Sequence, residues 1–182
     1  TPETLQRALA ISEMPLVSYV SYPYSLEDSL VAIVRPSADF QPVGEVSPVS
    51  AEELERITGY ANALGRNQDK FQSYFSEYRR KHGKVGLLGA GHLACTFVNL
   101  LGLKDQFEFI VDDNPNKCGL FLPGSGLSIV APGSLVSEDI KLCLLSVHPA
   151  VEDRVVENNR HFIDNGGSFA SMFPSSRLAL KA

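Results

Sequence analysis

Three hydrophobic rhythms follow one another along this chain, over residues 1–48, 49–82 and 83–182. In the first, Thr1 stands as a cap before a short helical run to Ile11, with Pro2 in the first turn where helix starts accept it. Two β-rich segments follow, residues 16–24 and 29–35. With residues 25–28 between them they predict a hairpin. Three prolines and one glycine between Pro36 and Pro48 break any regular pattern, which predicts a linker or an extended crossing.

The second rhythm is helical. Ser50–Ala51–Glu52–Glu53 has the form of a capping box, in which the serine hydroxyl and the glutamate carboxylate each satisfy an orphan amide. The helix it opens is predicted to reach about His82, with Leu54, Ile57, Ala61, Leu64, Phe71, Phe75 and Tyr78 on one stripe. Gln68 interrupts the stripe, and Gly59 and Gly65 each weaken the helix by roughly 1 kcal/mol relative to alanine. At 1.5 Å per residue the helix is about 48 Å long, more than a small domain needs for its own core. It is expected either to brace two lobes or to lie across a sheet.

The third rhythm alternates short apolar runs with helical segments. Strands are predicted at 84–88, 107–111, 141–147 and 168–172, with a further short one at 128–130; helices are predicted at 92–101 and 150–164. Apolar strands alternating with helices imply an α/β fold: a Rossmann-like parallel sheet with helices on both faces, preceded by the long connector helix and the small hairpin segment.

Composition narrows the function. A chain of 182 residues that is 44% hydrophobic can bury one main core plus an appendage. With 20% charged residues and a net charge of −5, it lacks the basic clusters that nucleic-acid backbones demand, so no nucleic-acid partner is expected. Cys95, Cys118 and Cys143 lack metal-ligand spacing and lie in or beside apolar stretches, as reduced thiols of a cytoplasmic protein do. No run of about 20 apolar residues offers a membrane span. The chain opens on Thr1 in the manner of an internal helix start, from which a fragment of a longer protein is expected.

The turn Gly89–Ala90–Gly91–His92–Leu93–Ala94 follows a predicted strand and opens a predicted helix. Here Gly89 permits the tight turn, Gly91 lets a ligand approach the backbone, and Ala94 keeps the helix close to the strand. The helix start then offers amides and partial positive charge to a phosphate. Asp112 and Asp113 end the second strand about 20 residues on, where dinucleotide-binding domains keep an acid for a ribose hydroxyl. The alternatives are that the glycines serve packing and that the acids cap the next turn. His92 could bond a phosphate or face solvent. His148, ending the third strand, could contact a ligand or be a satisfied loop histidine, whereas His82 and His161 read as surface positions. Asn114–Pro115 starts a turn from which Lys117 either faces an anion or is solvated, and the turn Pro123–Gly124–Ser125–Gly126 has amides that could form an anion-receiving concavity. No catalytic triad, carboxylate pair or metal cluster emerges, so no catalytic residue and no metal are expected.

The stretch Val111–Asp112–Asp113–Asn114–Pro115–Asn116–Lys117–Cys118–Gly119–Leu120–Phe121–Leu122–Pro123–Gly124 resembles the D-x-N-P-x-K-x-G-x-x-x-P-G signature in the C-terminal domain of S-adenosylmethionine-dependent sugar C-methyltransferases. The follow-on from Leu127 to Pro132, the turn at Leu87–Gly91 and the pair Gly166–Gly167 are similar to the same domain, so the resemblance covers about residues 84–174. More faintly, residues 29–35 resemble the strand that closes the family's methyl-donor domain, and the long helix resembles its connector. The chain departs from the family in two places: His92, Leu93 and Ala94 stand where Lys and Gly are usual, and Ser128 stands where Pro is usual.

The resemblance implies three segments: residues 1–48 as the tail of an upstream methyl-donor domain, 49–82 as connector, and 83–182 as the Rossmann-like C-terminal domain. It further implies a substrate-side domain that helps bind a nucleotide-linked sugar and does not catalyse alone. Gly89, Ala90, Gly91, His92, Asp112, Asn114, Lys117 and His148 are the candidate substrate-binding residues. No cofactor is expected in this fragment, and S-adenosylmethionine is expected in the full-length protein. The implied partners are the upstream methyltransferase domain of the same chain and a nucleotide-sugar or similar small molecule, with a homo-oligomer left open. Two alternatives stay beside this one, an NAD(P)-binding module and a non-catalytic scaffold domain.

Overall fold

The computed structural model describes residues 1–24, 28–35 and 48–181. Most of the expected hairpin turn at 25–28 and of the crossing at 36–48 lies outside them. The chain divides into two compact units, residues 1–60 and 61–182, with the division falling inside one long helix.

In the first unit α1 spans Pro2–Ile11, β1 spans Leu16–Tyr22 and β2 spans Ser29–Val34. The strands pair antiparallel, with Tyr19 opposite Ala32 and Tyr22 opposite Ser29. The long helix, α2, begins here and runs Ala51–His82. Its cap differs from the expected box. The Ser50 hydroxyl does accept the Glu53 amide (3.1 Å), but Glu53 does not return the bond. Instead Glu3 of α1 accepts the Ser50 amide (3.0 Å) and hydroxyl (2.8 Å), while Glu53 accepts the Thr1 hydroxyl (2.6 Å) and the Arg56 guanidinium. The two helix starts therefore cap each other. Glu53 is only 2% exposed, and these charge-assisted bonds are what make that burial tolerable.

The second unit holds the rest of α2 and the sheet. Its elements are β3 (Val85–Leu88), α3 (His92–Leu100), a 3-10 turn (Lys104–Gln106), β4 (Ile110–Val111), β5 (Ile129–Val130), α4 (Ser134–Ser137), β6 (Leu142–Leu145), α5 (Pro149–Asn158), α6 (Arg160–Asp164) and β7 (Ser168–Ser171). The sheet order is β5-β4-β3-β6-β7, parallel throughout. Successive strand residues point to opposite faces, and both faces are covered. Val85, Leu87, Leu142 and Leu144 pack with Phe75 of α2 and Phe97 and Val98 of α3. Leu88, Cys143 and Leu145 pack on the other side with Leu135 of α4, Val155 of α5 and Phe162 of α6. Irregular strips run along the two outer strands. Leu120 accepts the Ile129 amide beside β5, and Leu178 and Leu180 bond Ser171 of β7, which blunts edges that would otherwise invite pairing.

Three expectations change. The helix expected over 150–164 breaks at buried Asn159, whose side-chain amide donates to the Val155 carbonyl (2.8 Å) and competes with the helical ladder. The strand expected over 107–111 contracts to Ile110–Val111, although the Glu108 amide still bonds the Val85 carbonyl. The stripe on α2 is not uniformly buried: Phe75 is fully buried, while Leu54 and Ile57 remain 58% and 44% exposed. Among the described residues no helix is long and apolar enough to cross a membrane.

The divided stripe sets an expectation for urea unfolding followed by ellipticity. Phe75→Ala should cost about 3–5 kcal/mol through lost burial and a cavity, and Leu54→Ala no more than about 0.5 kcal/mol. Equal costs would mean that the two positions share one environment, contrary to the packing described.

Candidate functional site

The glycine turn leaves the carboxyl end of β3 in the middle of the sheet, where strand order reverses between β3 and β6. In parallel α/β sheets that reversal is where ligands bind. Gly89 has φ +105°, and a Cβ there would come within 2.9 Å of Val147 Cγ1 and 3.0 Å of Ser146 Oγ, so both conformation and space require glycine. Its amide donates to the Val111 carbonyl (2.8 Å). From β6, buried Ser146 donates its hydroxyl to the carbonyls of Leu88 and Gly89, each at 2.8 Å. Ser146 was not among the sequence candidates. Its one signal was a polar residue directly after the apolar run Leu142–Leu145.

Gly91 is different in kind. It is the extended N-cap of α3 (φ −117°, ψ −173°), and a Cβ on it would meet nothing within 4 Å. No side chain caps the helix, and the first intrahelical bond is made by the Cys95 amide to the Gly91 carbonyl (3.1 Å). The first-turn amides thus lack intrahelical acceptors and carry the positive end of the helix dipole. His92, exposed, is the first residue of α3.

Asp112 follows β4 and faces the turn. Its Oδ2 accepts the Ala90 amide (2.8 Å) and the Lys117 ammonium (2.9 Å), and its Oδ1 accepts the Asn114 amide (2.9 Å). Lys117 also donates to the Ala90 carbonyl (3.1 Å), so both backbone groups of Ala90 are engaged. Burial works to raise the Asp112 pKa. The hydrogen bonds from Lys117, Asn114 and Ala90, with the Lys117 charge, outweigh it and hold the carboxyl below its usual range.

The remaining signature residues also have structural partners. The Asn114 side chain accepts the Asn116 amide (3.0 Å) in a local turn, and Gly119 and Gly124 have positive φ. Gly124 has no room for a Cβ, which would lie 2.6 Å from Asn99 of α3, and Asn99 donates to the Pro123 carbonyl (2.9 Å). The anion-receiving concavity expected at Pro123–Gly126 is not formed as expected: the Ser125 amide bonds Pro123 and the Gly126 amide bonds Leu122. His148 caps α5, its Nδ1 accepting the Ala150 amide (3.1 Å). Cys143 is buried in β6, where burial pushes its thiol pKa up and makes it inert.

The structure thus brings Gly89, Ala90, Gly91, Asp112, Asn114 and Lys117 into one linked cluster around the start of α3, while His148 belongs to the start of α5.

The family model described as C-methyltransferase C-terminal domain matches residues 45–174. A search of curated proteins finds no match. Among solved structures, a UDP-D-quinovosamine 4-dehydrogenase from Vibrio fischeri is 21% identical, covering 48% of this chain and 75% of its own, with a TM-score of 0.37. RSP, a Rex-family repressor, is 12% identical over 75% of this chain and 85% of its own, with a TM-score of 0.40. RSP in complex with β-NADH is 15% identical over 73% and 71%, also at 0.40. Likenesses this loose carry no functional argument.

The two glycines should behave oppositely in chemical denaturation. Gly89→Ala should cost on the order of 1–3 kcal/mol from backbone strain alone. Gly91→Ser should be neutral or stabilising by a few tenths of a kcal/mol, since serine is at least as good an N-cap. A tolerant Gly89 would contradict the crowded turn.

Asp112→Asn should cost on the order of 2 kcal/mol at neutral pH by removing a charge-assisted network. Because the folded carboxyl titrates below its ordinary value, the stability it adds is complete above the unfolded pKa of about 3.9. That stability is lost as pH falls through the folded value. The gap between wild type and variant should therefore be flat near neutrality and narrow below about pH 4. A gap that widens in acid has the wrong sign for this network.

Proposed function

This chain belongs to the C-methyltransferase C-terminal domain family, and on that premise we propose that residues 83–182 are the substrate-side domain of an S-adenosylmethionine-dependent C-methyltransferase, receiving the diphosphate of a nucleotide-linked sugar at the start of α3. The observation that carries this is the open space in front of Gly91 beside an uncapped helix start. Amides there offer hydrogen bonds and a partial positive charge to an anion. A carboxylate so close would repel a phosphate, and Lys117, paired with Asp112, offsets that charge. Asp112, Asn114 and Lys117 accordingly act as positioning residues for the turn, while Gly91 and His92 stand at the ligand. His148 serves as the cap of the neighbouring helix start.

S-adenosylmethionine supplies the methyl group when bound, and this function places it on a separate domain of the full-length protein. The first unit supports that partner. Every residue of β1 is exposed, and Val17, Tyr19, Val20, Tyr22, Val31 and Ile33 present apolar surface to solvent. A lone two-stranded sheet is marginal in water. The methyl-donor domain of the same protein is the occupant that would cover it, and the 182-residue chain alone would methylate nothing.

An NAD(P) site would use the same amides. Its diagnostic acid, however, is Asp112, whose carboxylate already accepts three donors within this chain, so ribose recognition there is disfavoured. A scaffold role predicts no ligand at all.

Calorimetric titration with UDP- and dTDP-linked sugars should show binding that Gly91→Val weakens at least tenfold, while its unfolding free energy changes by no more than the roughly 1 kcal/mol of a changed cap. Silence toward every nucleotide-sugar, in this chain and in the full-length protein, sinks the proposal. Tight NADH binding seen by fluorescence, lost in the same variant, would transfer the site to the dinucleotide.

A further inference from the structure

We propose that the cavity at the carboxyl end of β7 is a second ligand site, shaped for a compact amphipathic anion: a small apolar ring or short chain carrying one carboxylate. The cavity has a volume of about 230 Å³ and is walled by Phe71 of α2 and by Met172, Pro174 and Leu180, with Lys70 beside them. Sheet register places it. Ser171 lies opposite Leu145, which lies opposite Leu88, the residue before the glycine turn. The cavity therefore adjoins the same edge of the sheet two strands along, about 10 Å away at the usual strand spacing.

Its chemistry follows from what is engaged and what is not. Ser171 lines the cavity, but its hydroxyl donates to Glu152 (2.5 Å) and accepts the Phe173 amide (3.1 Å). Among the described residues no carboxylate pairs with Lys70, whose ammonium lies 5.7 Å from the Phe71 ring centroid. An exposed rim cation without a carboxylate partner, set beside apolar walls, favours an anionic group on an apolar body. The volume is below that of pockets for drug-sized molecules, which limits the body to about one ring.

The wall is built before any ligand arrives. Glu152 of α5 is 1% exposed and accepts hydroxyl hydrogen bonds from both Ser171 and Ser176, with Arg177 paired to Asp153 outside them. The Ser171 amide donates to the Leu178 carbonyl and the Leu180 amide to the Ser171 carbonyl, so the chain after β7 is tied along the strand. A preformed wall spares the ligand the cost of ordering it. Glu152 is a positioning residue here.

The test is calorimetric titration of the 182-residue chain with phenylacetate, beside 2-phenylethanol, the same ring without the charge. Saturable phenylacetate binding is expected, weakened at least tenfold by Lys70→Gln and by Leu180→Trp, with the alcohol at least tenfold weaker on the wild type. Lys70 is exposed, so Lys70→Gln keeps the fold and remains decisive even where the tryptophan disturbs the tail. Absence of saturable binding, unchanged binding in Lys70→Gln, or an alcohol that binds as well as the acid overturns the proposal. None of these outcomes bears on the nucleotide-sugar site.

Discussion

The bond network of Asp112, Lys117 and Ala90 is the constraint on which the candidate site depends. A carboxylate that leaves β4 reaches across to the turn that leaves β3, and a lysine five residues further on closes the triangle by gripping both. Ser146 holds the same turn from β6. The turn is thus secured from both flanking strands, and Gly89 occupies the one backbone position between them where no side chain fits. Rigid support of this kind fixes the direction of the first-turn amides of α3, which would leave little ordering to oppose binding at the proposed site.

That network changes the meaning of the family signature. Asp, Asn, Lys and the two glycines invite assignment as ligand contacts because they cluster beside a phosphate-type turn. Each instead has a partner in the fold: the Ala90 backbone, the Asn116 amide, the Asp112 carboxylate, and two left-handed turns, one of them wedged against Asn99. In the proposed site their contribution to recognition would be indirect. They set the position and the local charge of amides that belong to residues with no distinctive side chain.

The first unit follows a different logic. Its helices exchange caps through Glu3, Ser50, Glu53 and Thr1, which satisfies buried and half-buried polar groups reciprocally, yet its hairpin leaves most of its apolar side chains in water. Satisfied polar groups beside uncovered apolar strands describe a piece organised locally by its caps, and that exposed surface is what the proposed methyl-donor partner would cover.

The amino-acid sequence by itself determined the elements and the fold class. The continuous apolar runs 85–88 and 142–145, the Gly–x–Gly turn and the helical stripe around Phe75 are local patterns, and local patterns decide which segments are buried. The acid after β4 and the lysine of the signature were legible one by one, Asp112 as a strand-end acid and Lys117 as facing an anion or solvated, and not as a pair. Only the tertiary structure decided what they do, because Asp112 and Ala90 are 22 residues apart and meet through strand pairing, which no local pattern encodes. The exchanged cap between α1 and α2, the role of Ser146 and the exposure of Leu54 and Ile57 were settled in the same way. Each depends on which distant group arrives within hydrogen-bonding or packing distance, and that is a property of the assembled chain.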